Sequence, residues 1–288
     1  MDIFVQLTLN GIIAGSIYAL VAIGFNLIYG TVRFFDIGYG ALTAVGGYIA
    51  FLFSRQLGMD LSVSIIAGTI VAGIIGYIVY LLVYAPLRAK KASNMVMLIA
   101  SLGVLTALQA VIAIFFTSQF RTLSSSVGVQ KIFHIFGGVM TQTQLIILCV
   151  ALVVMVLLAA ILRWTRFGKS VRAIGDSEEV SKIVGVNTNR VIGIVFFIGS
   201  AIAGLAGILV GFDTGIEPTM GFSLLLKGVV ASIIGGIGNV YGGVLGAFFL
   251  GLIENFGIWH ISAEWKDAIA FGVLILFLIF RPQGILKK

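Results

Sequence analysis

Uninterrupted apolar stretches dominate the chain. No Asp, Glu, Lys or Arg occurs in 3–32, 37–54, 61–87, 92–120, 132–162, 191–212 or 228–253. Crossing a hydrocarbon layer of ~30 Å takes about 20 helical residues at 1.5 Å rise, so most of these stretches reach from one face of a bilayer to the other. The apolar/polar alternation of a transmembrane barrel strand is absent. The pattern predicts an all-α, polytopic helical integral membrane protein: a single transmembrane domain over 1–288 with about 8–9 membrane segments. These fall at 3–29, 40–54, 61–84, 95–117, 144–162, 191–212, 223–238, 241–257 and 266–281. Segments 223–238 and 266–281 fall short of a full span and are expected to be tilted, re-entrant or shielded by neighbours. The first 30 residues do not read as a removable signal peptide, because only Met1 and Asp2 precede the apolar stretch.

Composition removes the water-soluble alternatives. Sixty per cent of the 288 residues are hydrophobic and 10% charged, with a mean hydropathy of +1.16; a soluble domain needs about 25% charged residues to clothe its surface. Placing the amino terminus outside puts 13 of the 18 basic residues on the inner side: Arg33, Arg88, Lys90, Lys91, six in the 163–190 loop, Arg281, Lys287 and Lys288. That bias is the positive-inside signature, so the net charge of +7 reports topology rather than nucleic-acid binding. Glycine is abundant, 37 residues against 3 prolines. Small-xxx-small pairs recur at Gly11–Gly15, Ala203–Gly207, Gly207–Gly211, Gly242–Gly246 and Ala247–Gly251. They let helix backbones approach closely, either within the bundle or at a subunit interface or gate.

Polar features are few. The run Gly235–Gly243 is neither a dinucleotide fingerprint nor a phosphate loop: a G-x-G-x-x-G frame from Gly236 ends on Tyr241, and no Lys is present. It marks a helix break, either a bend near a pathway or a tight turn at the inner surface. Gly168-Lys169-Ser170 lacks the upstream glycine of a P-loop, since position 163 is Arg. In the 163–190 loop, Ser177 is an N-cap, Glu178 and Glu179 occupy the first turn, Val180, Ile183 and Val184 form an apolar stripe, and Gly185 is the stop. This short amphipathic helix is expected to rest on the membrane or dock into a cytoplasmic partner. The mixed charge of Arg172, Asp176, Glu178, Glu179 and Lys182 favours the partner over lipid. Asp36, Lys227 and Glu254 are ionisable groups in or near apolar runs, where each either lines a pathway or sits at an interface. Cys149 has no partner cysteine and is expected to pack; His134 and His260 fall in expected external loops. Trp259 and Trp265 suit the outer aromatic belt and Trp164 the inner one. No metal-ligand or nucleophile–base arrangement stands out.

The run Asn10-Gly11-Ile12-Ile13-Ala14-Gly15-Ser16-Ile17-Tyr18-Ala19-Leu20 resembles the first helix of permease subunits of branched-chain amino acid ABC transporters. So do Thr165-Arg166-Phe167-Gly168-Lys169 with Arg172-Ala173, Asp176 and Val184-Gly185-Val186-Asn187. Gly235-Gly236-Ile237-Gly238, Glu264-Trp265-Lys266-Asp267 and Arg281-Pro282-Gln283-Gly284-Ile285-Leu286 continue the likeness over nearly the whole chain. The resemblance implies a permease of the bacterial inner membrane that is not itself an enzyme. It would bind no cofactor, with ATP and Mg on partner subunits. The implied partners are a second related permease, two cytoplasmic ATPases and an extracytoplasmic solute-binding protein. The 163–190 loop would be the coupling segment, through Arg172, Ala173, Asp176, Glu178, Glu179, Val180, Ile183, Val184 and Gly185. Asp36, Tyr39, Lys227, Asn239 and Glu254 are the candidates for the translocation pathway. Where that family usually has Asn-Phe-Ala-His-Gly-Glu, this chain has Asp36-Ile37-Gly38-Tyr39-Gly40-Ala41, which bears on the solute: leucine-like or other amino acids, amides or urea. An ion-gradient-driven carrier is the alternative from another class; it calls for an internal inverted repeat and a buried ion site.

Overall fold

A computed structural model describes residues 2–123, 131–135, 137–259, 262–281 and 283–286; His260, Pro282, Lys287 and Lys288 lie outside them. The elements run α1 (Asp2–Val32), α2 (Tyr39–Phe51), α3 (Leu61–Val79), α4 (Ala85–Ala89), α5 (Asn94–Phe116), β1 (Ile132–Ile135), β2 (Gly138–Thr141), α6 (Gln142–Trp164), α7 (Arg166–Asp176), α8 (Glu178–Ile183), α9 (Thr188–Asp213), α10 (Met220–Gly235), α11 (Val240–Gly257) and α12 (Lys266–Phe280). Two π-helical turns extend the rods. One (Leu52–Gln56) prolongs α2, and the other (Tyr80–Tyr84) joins α3 to α4. The second stands directly before Pro86, which offers no N–H to the helix ladder and whose ring would press on the carbonyl of Leu82; a wider turn relieves both.

Among the described residues, six rods are long and apolar enough to cross a membrane: Ile3–Val32, Leu61–Ala89, Asn94–Phe116, Gln142–Trp164, Thr188–Asp213 and Val240–Gly257. The helix α10 has 16 residues and α12 has 15. Their outcomes differ. Most of α10 is buried against α1, α2 and α11, whereas α12 buries only Ala270. The expected segment 223–238 is displaced towards the amino end, because Gly236 (φ +113°) leaves helical space and ends α10 there.

The centre of the bundle is α1, α2 and α9, with α3, α5, α6 and α12 around it. Tyr39 to Tyr48 of α2 are all buried, while Ile66, Ile70 and Ile74 of α3, Ile114 and Phe115 of α5, Val153 and Val156 of α6, and Ile279 and Phe280 of α12 are exposed. Apolar surface outside and small residues inside is the arrangement lipid favours. The small-xxx-small pairs act within the chain. A Cβ on Gly207 would collide with the carbonyl oxygen of Thr43 on α2, and Gly251 presses on Gly11 and Gly15 of α1. Cys149 lies on the exposed face of α6, so it does not pack in the core as expected.

A two-stranded antiparallel sheet interrupts the helices, pairing Ile132 with Thr141 and Ile135 with Gly138. Sequence reading placed only a loop here; His134 is on β1 and exposed. The amide of Gln6 on α1 fixes the hairpin, accepting from the Val139 N–H (2.7 Å) and donating to its carbonyl (3.0 Å). The hairpin therefore marks one end of the bundle and α7–α8 the other. At the α7–α8 end, residues 283–286 fold back onto the finish of α10: the N–H groups of Ile285 and Leu286 donate to the carbonyls of Ile234 and Gly235.

Candidate functional site

The α7–α8 module begins with a cap. Thr165 Oγ1 accepts from the Gly168 N–H (3.1 Å), and Gly168 packs so closely on the Leu162 backbone that no side chain would fit. The Arg172 guanidinium donates to the Leu162 carbonyl, tying α7 to the end of α6. Arg33, in left-handed backbone (φ +57°), donates through Nε (3.2 Å) and Nη2 (2.7 Å) to the Gly175 carbonyl. A cation at a helix carboxyl end is where the helix dipole favours it.

Ser177 then caps α8, its Oγ accepting from the Val180 N–H (3.3 Å). Glu178 is gripped from two sides, by Arg88 of α4 and by Lys182 (2.8 Å) one turn on. Burial opposes its ionised form. The hydrogen bond from Lys182 and the Arg88 charge outweigh that and hold its carboxyl below the usual glutamate range. Glu178 thus clamps the module to the bundle, while Glu179 remains exposed. Gly185 (φ +86°) ends α8; its N–H donates to the Lys182 carbonyl, and the Val186 N–H to that of Ser181, a Schellman stop. Ser181 faces the bundle and is buried, which turns the stripe outward: Val180 is 58% exposed, Ile183 84% and Val184 71%. Ala173 and Asp176 are on the exposed side of α7.

Towards the hairpin end, Lys227 of α10 sits between two carboxylates, 2.7 Å from Glu254 of α11 and 2.8 Å from Asp267 of α12. Tyr18 of α1 donates its hydroxyl to the other Glu254 oxygen (2.8 Å) and presents its ring 5.5 Å from the ammonium. Glu254 is fully buried and Lys227 is partly buried. Four helices thus meet at one charged knot. Sequence reading singled out Lys227 and Glu254 separately and missed Asp267 and Tyr18; the signal was an acid in the first turn of α12 beside a lone intramembrane lysine. Beside it lies a cavity of about 360 Å³ with a mixed lining that includes Asn10, Gln144, Asp213, Asn255 and Lys266.

Asp36 lies between α1 and α2, and Tyr39 opens α2. Asp36 accepts from the Tyr84 hydroxyl (2.6 Å) and from the Tyr39 N–H (3.3 Å), and the Tyr39 hydroxyl donates to the Val21 carbonyl (3.1 Å). Both residues are closed off from solvent in this conformation. Asn239 caps α11, accepting from the N–H groups of Tyr241 (3.0 Å) and Gly242 (3.2 Å). Among the described residues no group of three or more His, Cys, Asp or Glu is placed to hold a metal ion.

Comparison with known proteins fits this arrangement. Residues 7–278 match the family described as branched-chain amino acid transport system, permease component. The chain is 32% identical, over 99% of its length and 96% of theirs, to the high-affinity branched-chain amino acid transport system permease proteins BraD of Pseudomonas aeruginosa and LivH of Escherichia coli. A solved structure, PsaBC from Streptococcus pneumoniae in complex with Fab, superposes with a TM-score of 0.52 over 95% of this chain and 91% of that one. At 14% identity the two share the fold alone. With a helical membrane bundle and this match along almost its whole length, the chain belongs to the branched-chain amino acid permease family and is a multi-pass permease subunit of the ABC-importer type.

Proposed function

We propose that this chain forms one half of the membrane pathway of an importer of branched-chain amino acids in the bacterial inner membrane. It pairs with a second, related permease. Two cytoplasmic ATPases bind at α7–α8, and a solute-binding protein delivers substrate at the hairpin end. The amino terminus is outside, and residues 163–190 are cytoplasmic. ATP and Mg stay with the ATPases, and this chain supplies no catalytic group. The solute class rests on the names of the relatives. The orientation draws support from the gathering of Arg33, Arg88, Arg172 and Lys182 at the α7–α8 end.

The observation that carries the reading is the open stripe Val180, Ile183 and Val184 on a helix braced by Arg33 and Arg88. An apolar stripe facing away from its own bundle needs a partner groove, and bracing lets it transmit force rather than bend. Lys227 and Glu254 act beside the outer mouth of the pathway, with Asp36, Tyr39 and Asn239 deeper towards the cytoplasm.

Purification in mild detergent should bring down two ATPases and a second permease. In proteoliposomes of that complex, Glu179→Lys or Gly185→Pro should cut uptake about tenfold while ATP hydrolysis continues. Full coupling in both variants, or uptake by this chain alone under an ion gradient, would sink the reading.

A further inference from the structure

The α7–α8 end holds a second cavity, of about 270 Å³, between α1, α6, α7 and the turn that opens α11. Its walls are largely aliphatic, with Leu27, Leu162, Val171 and Val240 beside Asn26, Thr31 and Asn239, and among the described residues Arg172 is its one charged lining residue. Arg172 is exposed and Tyr241 half exposed, so a cation and an aromatic ring stand at the opening. A largely aliphatic slot with a guanidinium at its opening matches a molecule with an apolar body and an anionic head.

The depth of the cavity identifies that molecule. The lipid-facing apolar surface of α6, from Leu152 to Ile161, ends at Arg163 and Trp164, and Trp164 is 76% exposed. A tryptophan after an apolar face marks the headgroup level of a bilayer. Leu162, at that same level, is a wall of the cavity. Arg166, Lys169 and Arg172 follow at spacings of three along α7, all exposed, and extend the positive field outward from the opening. Basic pockets between helices at a membrane face attract anionic lipid headgroups.

We infer that this cavity is a binding site for an anionic phospholipid of the leaflet on the α7–α8 side. The headgroup phosphate pairs with Arg172, and an acyl chain lies along Leu27, Leu162 and Val240. Because Val171 and Arg172 belong to α7, an occupying lipid would also brace the module against α1 and α6.

Native mass spectrometry of the full chain tests this, with phosphatidylglycerol and phosphatidylcholine of equal chain length as probes. Phosphatidylglycerol should be retained about fivefold better, the equivalent of about 1 kcal/mol for one basic contact. Arg172→Gln should erase the preference and Arg172→Lys restore most of it. Val240→Phe leaves the cation in place but fills the slot, and should also lower phosphatidylglycerol retention. Equal retention of the two lipids, or a preference that survives both Arg172→Gln and Val240→Phe, would overturn the assignment. So would octanoate binding at the cavity without any phospholipid preference, since that would make the site one for soluble carboxylates.

Discussion

Lys227 shows how far one side chain can matter in a lipid-embedded bundle. Its ammonium joins α10 to α11 and α12, and Tyr18 completes the shell from α1. Lys227→Met would leave Glu254 buried without its countercharge, and removing one partner of such a pair costs about 3–5 kcal/mol. Thermal unfolding in detergent should show that loss, while adding Glu254→Leu to Lys227→Met should recover most of it; equal stability of single and double variants would show that the pair is not the stabilising unit. Glycines give a second contrast. Gly207→Val drives a side chain into the Thr43 backbone and should destabilise by about 1–3 kcal/mol. Gly272→Ala on α12 meets open space and should gain about 0.5–1 kcal/mol from the helix preference alone. Opposite signs in the two melting shifts are the expected result.

At the scale of elements, the module α7–α8 is a small structure built on borrowed support. Its polar ties to the bundle run through Arg33, Arg172 and Glu178, and Val171, Ile174 and Ser181 are buried beside them. The Glu178 carboxyl is held below its usual range, so its clamp contributes fully above the ordinary glutamate pKa and is lost as pH falls through the lowered value. Hydrogen exchange of the amides in 178–186 should accelerate over that acidic window beyond the intrinsic pH effect. Arg88→Gln should remove the excess; an Arg88→Gln profile identical to the unmodified chain would rule out the clamp. Much of this element was legible in the sequence: the Ser177 cap, the Val180–Ile183–Val184 stripe and the Gly185 stop follow from local spacing alone. The grip on Glu178 was not, because Arg88 lies 90 residues away and only the fold brings it near. Helix α7 was missed for a related reason. Its amphipathic pattern carries too few apolar residues to stand out beside spans many times more hydrophobic.

For the whole molecule, the nine apolar segments, their order and the break at Gly235–Gly243 could be read from hydropathy and glycine placement. The hairpin Ile132–Thr141 could not, since a short strand pair inside an apolar run has no periodicity to distinguish it from the start of a helix. The charged knot escaped as a unit because its members come from α1, α10, α11 and α12. The sole cysteine offers a direct test of overall orientation. In a Cys149→Ala background, Val139→Cys should react with a membrane-impermeant maleimide added to intact cells. Ile183→Cys should react only after the membrane is opened. The reverse pattern would invert the topology.

The return of residues 283–286 onto the finish of α10 has a bearing on biogenesis. Two carbonyls of a helix that leaves the ribosome some fifty residues earlier wait for Ile285 and Leu286 before they are satisfied. A nascent polypeptide can thus have threaded α10 and α11 into the membrane and still leave α10 unfinished until these later residues emerge. A bulky fusion placed there would compete for the closing step.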